Sequence, residues 1–255
     1  LTNINTPVIE GTAEAGSTVT LLSGDTSLGT ATADGNGDFS ITSSQLADND
    51  YTLTVKATDA AGNESAASSS LSLTIDTTAP STPVITTTTA LTNDSTPVIQ
   101  GTAEAGSTVE LFNGDTSLGT ATADSSGSFS ITSSQLADAS YTLTVVATDA
   151  AGNESAASEG LTIEIDTTAP STPSITTTTT TFTINTPTIT GTADAGSDVE
   201  LLIGDAVVGT AIAGSDGSFS IISSPLFDTS DDQTYELTVT ATDAAGNESA
   251  ASAGL

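Results

Sequence analysis

One segment of about ninety residues is written three times in this chain, and that periodicity constrains the fold more than any other feature. Gly11-Thr-Ala-Glu-Ala-Gly-Ser17 returns at 101–107 and, with Asp in place of Glu, at 191–197, a spacing of 90 residues each time. Ala57-Thr-Asp-Ala-Ala-Gly-Asn-Glu-Ser65 recurs from Ala147 and from Ala241, where four extra residues before Tyr235 lengthen the second step to 94. Ile75-Asp-Thr-Thr-Ala-Pro-Ser-Thr-Pro83 recurs at 165–173. Such a unit is too long for a solenoid coil and suits a sandwich domain. The copies divide as 1–75, 76–165 and 166–255, with linkers at 76–83 and 166–173. Leu1 aligns with Leu91, so the first copy is expected to lack its opening strand. Leu255 aligns with Leu161, which truncates the last strand of the third. The abrupt ends read as those of an internal piece of a longer protein.

The middle copy predicts strands A to G at 83–89, 96–103, 108–112, 118–123, 128–133, 141–148 and 161–165. Tyr141, Leu143, Val145 and Ala147 alternate with Thr142, Thr144 and Thr148, the period of a half-buried strand. Val109, Leu111, Phe129, Ile131, Leu161, Ile163 and Ile165 complete the expected core. Tyr51, Tyr141 and Tyr235 all precede strand F, the place of the tyrosine corner in immunoglobulin-like sandwiches. The fold class is all-β: three tandem seven-stranded immunoglobulin-like β-sandwiches. An odd number of strands brings the chain in at one pole and out at the other, so an elongated rod is expected.

Composition narrows the chemistry. There are 32 Asp and Glu against one Lys and no Arg, a formal charge of −31, and no His, Cys, Met or Trp. The usual nucleophile–base pairs and disulfides need residues that are absent. One cation cannot neutralise a phosphate backbone, which excludes nucleic acid. No apolar run approaches the roughly 20 residues of a membrane span, so no membrane insertion is expected. A hydrophobic fraction of 36%, with Thr at about a fifth of the chain, indicates a folded β protein and not a disordered one. Only a two-carboxylate glycoside hydrolase would be chemically open to such a chain. Near-identical repeats of this size offer it no deep cleft, and the chain is read as a non-enzyme and a monomer.

Three motifs in fixed order carry a family resemblance. Asp-Thr-Thr-Ala-Pro in the linker, Gly-Thr-Ala-Glu-Ala-Gly-Ser after strand B and Ala-Thr-Asp-Ala-Ala-Gly-Asn-Glu-Ser after strand F resemble the bacterial immunoglobulin-like repeats of giant surface adhesins. Those adhesins are the biofilm-associated and non-fimbrial proteins exported by type I secretion. The resemblance implies an extracellular, cell-surface extender segment supporting adhesion and biofilm formation, rigidified by calcium ions at its interdomain linkers, with neighbouring repeats as partners. The alternative is a binding module whose sandwich surfaces contact host glycan or neighbouring adhesin chains; with aromatics at 4%, few rings are left to form a glycan platform.

The residues make their own case for a cation. The strand order puts the B–C, D–E and F–G turns at the pole where the linker arrives. The second copy then gathers Asp76, Glu104, Asp149, Asn153 and Glu154; the third gathers Asp166, Asp194, Asp243, Asn247 and Glu248. Carboxylates without a cationic side chain repel unless a cation joins them, and oxygen ligands suit Ca²⁺. The metal candidates are Asp76, Glu104, Asp149, Asn153, Asp166, Asp194, Asp243 and Asn247, with a half-site at Glu14, Asp59 and Asn63 in the first copy. A second reading stays open: Asp149-Ala-Ala-Gly-Asn153 as a plain turn, its Asp accepting backbone N–H groups and Gly152 or Asn153 at positive φ. Asp25, Asp115 and Asp205 read as hairpin-turn residues at the opposite pole, and Asp228, Asp231 and Asp232 as a solvated insertion in the E–F loop.

Overall fold

The computed structural model describes residues 1–182, 184–226 and 234–255, so the Asp228, Asp231 and Asp232 insertion lies outside the described residues. Every described regular element is a strand. The first repeat holds β1 (Val8–Thr12), β2 (Thr18–Ser23), β3 (Thr26–Thr32), β4 (Asp38–Thr42), β5 (Asn49–Thr58) and β6 (Leu71–Ile75). The second holds β7 (Val84–Ile85), β8 (Leu91–Thr92), β9 (Val98–Thr102), β10 (Thr108–Asn113), β11 (Thr116–Thr122), β12 (Ser128–Thr132), β13 (Ala139–Thr148) and β14 (Leu161–Ile165). The third holds β15 (Ser174–Ile175), β16 (Thr188–Thr192), β17 (Asp198–Ile203), β18 (Ala206–Ile212), β19 (Ser218–Ile222) and β20 (Leu237–Thr242). The chain forms two compact units. One is Leu1–Thr86 with Gln100–Ile131 and Thr144–Glu159; the other is Thr87–Ile99 with Thr132–Leu143 and Gly160–Leu255.

In the first unit β1 pairs antiparallel with β4, and β3-β2-β5-β6 form the facing sheet. Period-two alternation turns Val19, Leu21, Phe39, Ile41, Leu53 and Ile75 inward to one core. The β10–β11 hairpin of the second repeat belongs to this unit, as does β7, which lies antiparallel on β9 with Val84 opposite Thr102 and Ile85 opposite Gly101. In the second unit β13 pairs with β14, Tyr141 opposite Ile163, and β14 takes β8 in parallel, Ile165 opposite Thr92. The third repeat builds sheets β15-β16-β19 and β18-β17-β20 around Ile189, Val199, Leu201, Phe219, Ile221 and Val239. The expected core of the second repeat is buried, with Tyr141 and Leu161 half-buried at its margin.

Strand A differs from expectation. The run 83–89 was expected as one strand; only Val84–Ile85 of it is strand (β7, on β9), and a second short strand, β8 at Leu91–Thr92, follows it and pairs with β14. Both strands that it joins have an open edge, and an extended segment that changes partner midway satisfies N–H and C=O groups on each. The first copy keeps a counterpart of β8 at its start. Thr2 bridges Ile75 in parallel, and Thr2 N–H donates to Thr74 O and Asp76 N–H to Thr2 O, both at 3.0 Å. Among the described residues β7 has no counterpart in the first copy. The tyrosine corner is present where its partner is described: Tyr51 OH donates to Ala47 O and Tyr141 OH to Ala137 O, each at 3.0 Å.

Candidate functional site: clasps on the linkers

The F–G turn is built by its first residue. Asp149 Oδ1 accepts Ala151 N–H at 2.8 Å and Asn153 N–H at 2.9 Å, and Gly152 takes φ 92°, a conformation that favours glycine. The plain-turn reading is thus realised. Asn153 then bridges outward: its Nδ2 donates to Asp149 Oδ2 at 2.8 Å and to the backbone carbonyl of Asp76 in the linker at 2.8 Å. Asn3 Nδ2 of the first repeat donates to Gly152 O on the same turn at 2.9 Å.

The third repeat reproduces this arrangement. Asp243 Oδ1 accepts Ala245 N–H and Asn247 N–H, and Asn247 Nδ2 donates to Asp243 Oδ2, all at 2.9 Å. Asn247 Nδ2 also reaches Asp166 O at 2.8 Å. Asp194 adds a bond of its own, its Oδ2 accepting Ser171 N–H of the linker at 2.8 Å. The burial of the Asn tracks the linker. Asn63, for which no linker contact is described, is exposed; Asn153 is half-buried and Asn247 is buried.

A second clasp, which the sequence reading missed, holds the linker to the repeat it leaves. Asp48 Oδ1 accepts Thr77 N–H at 2.9 Å and Thr77 Oγ1–H at 2.7 Å, and its Oδ2 accepts Thr78 Oγ1–H at 2.8 Å. Asp138 does the same for Thr167, at 3.0 and 2.7 Å, and Thr168, at 2.7 Å. The signal available in the sequence was the constant offset of Leu-Ala-Asp from Asp-Thr-Thr, with Asp48 to Thr77 and Asp138 to Thr167 both 29 residues apart. Each linker is thus tied to the preceding repeat by an Asp and to the following repeat by an Asn.

The expected metal residues are only partly brought together. Asp76 with Asp149 and Asn153, and Asp166 with Asp243 and Asn247, meet through the Asn amide. Asp76 and Asp166 use a side-chain oxygen on their own Thr78 and Thr168 N–H at 3.1 Å. Glu104 and Glu14 enter their turns through backbone carbonyls that accept Ser107 and Ser17 hydroxyls at 2.7 Å. Asp59 and Asn63 form the turn without a linker, Asn63 Nδ2 donating to Asp59 Oδ2 at 2.7 Å. Calcium takes six to eight oxygen ligands. Each clasp offers two oxygens around one amide nitrogen, and among the described residues no group of three or more carboxylates is placed to hold a metal ion. As folded, the set forms a hydrogen-bonded clasp.

The clasp carboxylates titrate low. Hydrogen bonds from Thr77 and then Thr78 hold Asp48 below its ordinary value, and those from Thr168 and then Thr167 do so for Asp138. Burial pushes Asp149 and Asp243 up, but hydrogen bonds from the Asn side chain and the turn N–H groups outweigh it, leaving both lowered. A depressed folded pKa contributes stability above the unfolded value of about 3.9, which is lost as pH falls through the folded pKa. The melting difference between wild type and Asp138→Ala is therefore expected to be constant from about pH 8 to 5 and to close in strong acid. Thermal melts across that range check it.

Comparison with known proteins agrees with this architecture. Residues 1–77 and 84–167 match the family described as Bacterial Ig-like domain, and 169–253 match Bacterial Ig domain. The chain belongs to the bacterial Ig-like domain family. Over 91% of its length it is 36% identical to Exoglucanase B of Cellulomonas fimi, and over 45% it is 40% identical to Chitinase A1 of Niallia circulans. It spans 22% and 17% of those two relatives, a small part of each. The fibronectin(III)-like modules of Clostridium thermocellum CbhA share 22% identity over 66% of this chain and 88% of theirs, with a TM-score of 0.43. Domains of this kind are typically non-catalytic accessory modules. No described helix is long and apolar enough to cross a membrane.

Proposed function

We propose that the chain is an extender segment, a run of spacer domains in a secreted or surface-displayed bacterial protein, with no catalysis of its own. The observation that carries this reading is the pair of clasps on each linker. A chain that spends its most repeated polar residues on fixing the junctions between copies is organised for spacing. The parent protein is proposed to be a large surface adhesin serving cell adhesion or biofilm formation, on the motifs that carry the resemblance. The names of the two relatives favour a second parent, a secreted polysaccharide-degrading enzyme in which the same segment separates other domains.

Calcium at the junctions is a further proposal within this reading. The converging oxygens of Asp76 and Asp149, and of Asp166 and Asp243, favour it, and Asn153 and Asn247 would join them as ligands. It requires the Asn amide to turn its oxygen where its nitrogen now stands, and water or Glu104 and Asp194 to supply the rest. The clasp version needs neither step.

The extender reading predicts that the isolated chain binds neither cellulose nor chitin and releases no sugar from either. Sedimentation with each insoluble polysaccharide checks it. Saturable binding would overturn it in favour of a binding module.

A further inference from the structure

The second repeat is entered through β8 and left through β14, and these two strands lie side by side and parallel. Leu91 stands opposite Glu164, and Thr92 opposite Ile165. Glu164 N–H donates to Ala90 O at 2.8 Å, and Asp166 N–H donates to Thr92 O at 3.0 Å. The first repeat makes the same contact with Thr2, which bridges Ile75 in parallel and exchanges backbone bonds with Thr74 and Asp76. In both repeats the segment that ends the sandwich runs directly on into the Asp-Thr-Thr linker.

Strand direction decides how such a pair meets tension. In a parallel pair the start of one strand and the end of the other lie at opposite ends, so tension drawn through the chain slides the strands past each other and loads their bonds together. In an antiparallel pair those two points lie at the same end, and tension breaks the bonds one at a time. A single backbone hydrogen bond contributes only about 0.5–1.5 kcal/mol net, so joint loading is what lets so short a pair resist. The pair is also shielded and anchored. Ile163 and Ile165 are buried and Leu91 is half-buried, which keeps water from competing for the bonds. On its other side β14 is held by β13 along Ala139–Leu143. Beyond Asp166 the same path of tension meets the bonds from Thr167 and Thr168 to Asp138.

We infer that the β8–β14 pair is a mechanical clamp and that the segment transmits tension along the chain, a function beyond spacing. The inference rests on the extender reading for the source of the tension; the clamp itself rests on strand direction and the bonds above. It resists force applied along the strands and yields to force applied across them. The force at which a domain opens follows its unfolding barrier and not its equilibrium stability, so the clamp and the core are separable by experiment.

Single-molecule pulling of the 255-residue chain tests this. The chain has no Cys, so handles attach only where a pair of cysteines is introduced. Thr89→Cys with Ala169→Cys loads the pair along its strands; Thr89→Cys with Thr162→Cys pries β8 away from the start of β14. All three residues are exposed, so both chains are expected to melt with the parent. At one pulling rate, a severalfold higher opening force is expected along the strands than across them. Ile99→Val in both chains, at a fully buried residue of β9 outside the clamp, should lower Tm and keep that ratio. Equal forces in the two directions would overturn the clamp, and so would a ratio lost with Ile99→Val, since the force would then report the core. Either result would leave the spacing function intact. Saturable binding to cellulose or chitin would overturn the extender reading and leave the force ratio untouched.

Discussion

Replacing Gly101 with alanine is expected to destabilise the second repeat by about 3 kcal/mol, the upper part of the range for overpacked positions. The new Cβ would stand 2.2 Å from Val84 O and 2.5 Å from Phe129 Cζ, so β7 must leave β9 or the ring must move. The chain φ at this position is not the obstacle; space is. For a domain of this size about 3 kcal/mol corresponds to more than about 10 °C in Tm. Gly11→Ala supplies the control. There a Cβ meets the Phe39 ring at 2.7 Å and no strand carbonyl, so a smaller loss is expected from the same substitution at the same place in the repeat. Calorimetry of both variants checks the contrast, and equal losses would mean that β7 does not hold its place through close approach.

Leu201→Ala is the second large effect. Leu201 is fully buried on β17 and belongs to the third repeat's core with Val199, Phe219, Ile221 and Val239. Removing three carbons from such a site costs about 2–5 kcal/mol, the lost transfer energy plus the cavity left behind. No disulfide is available to hold the sandwich while the core loosens, because the chain has no Cys. The melting transition of the third repeat should therefore fall well below the others. Denaturant unfolding followed by the β signal would show it as an early, separate step. An unchanged profile would contradict the assignment of this core.

Much of this architecture could be read from the residues. Alternation in Tyr141–Thr148 gave the inward face of β13, and the slot before strand F gave the Tyr51 and Tyr141 corner bonds. The shortening of strand A to Val84–Ile85 and the second short strand at Leu91–Thr92 could not be read. The Thr-rich run after Ile85 keeps the same extended pattern throughout, and which edge each half joins depends on which neighbours are open in three dimensions. Asp48 and Asp138 look like ordinary loop acids in sequence; their role appears only when the linker folds back over them. Asn153 and Asn247 were expected at the junction as oxygen ligands, whereas their Nδ2 atoms donate there. An Asn side chain offers both an oxygen and an N–H group, and only the surroundings decide which is used. Here two oxygens, Asp76 O and Asp149 Oδ2, call for the donor.

The central claim is that the side-chain clasps hold the junctions between repeats. Small-angle X-ray scattering of the wild-type chain and the Asn153→Ala, Asn247→Ala variant, each in millimolar calcium and in excess chelator, tests it most directly. Clasp-held junctions predict that the variant's distance distribution is broader than the wild type's in both buffers. Equal distributions for wild type and variant would contradict it, and a wild-type distribution that broadens on chelation would support calcium at the junctions as well.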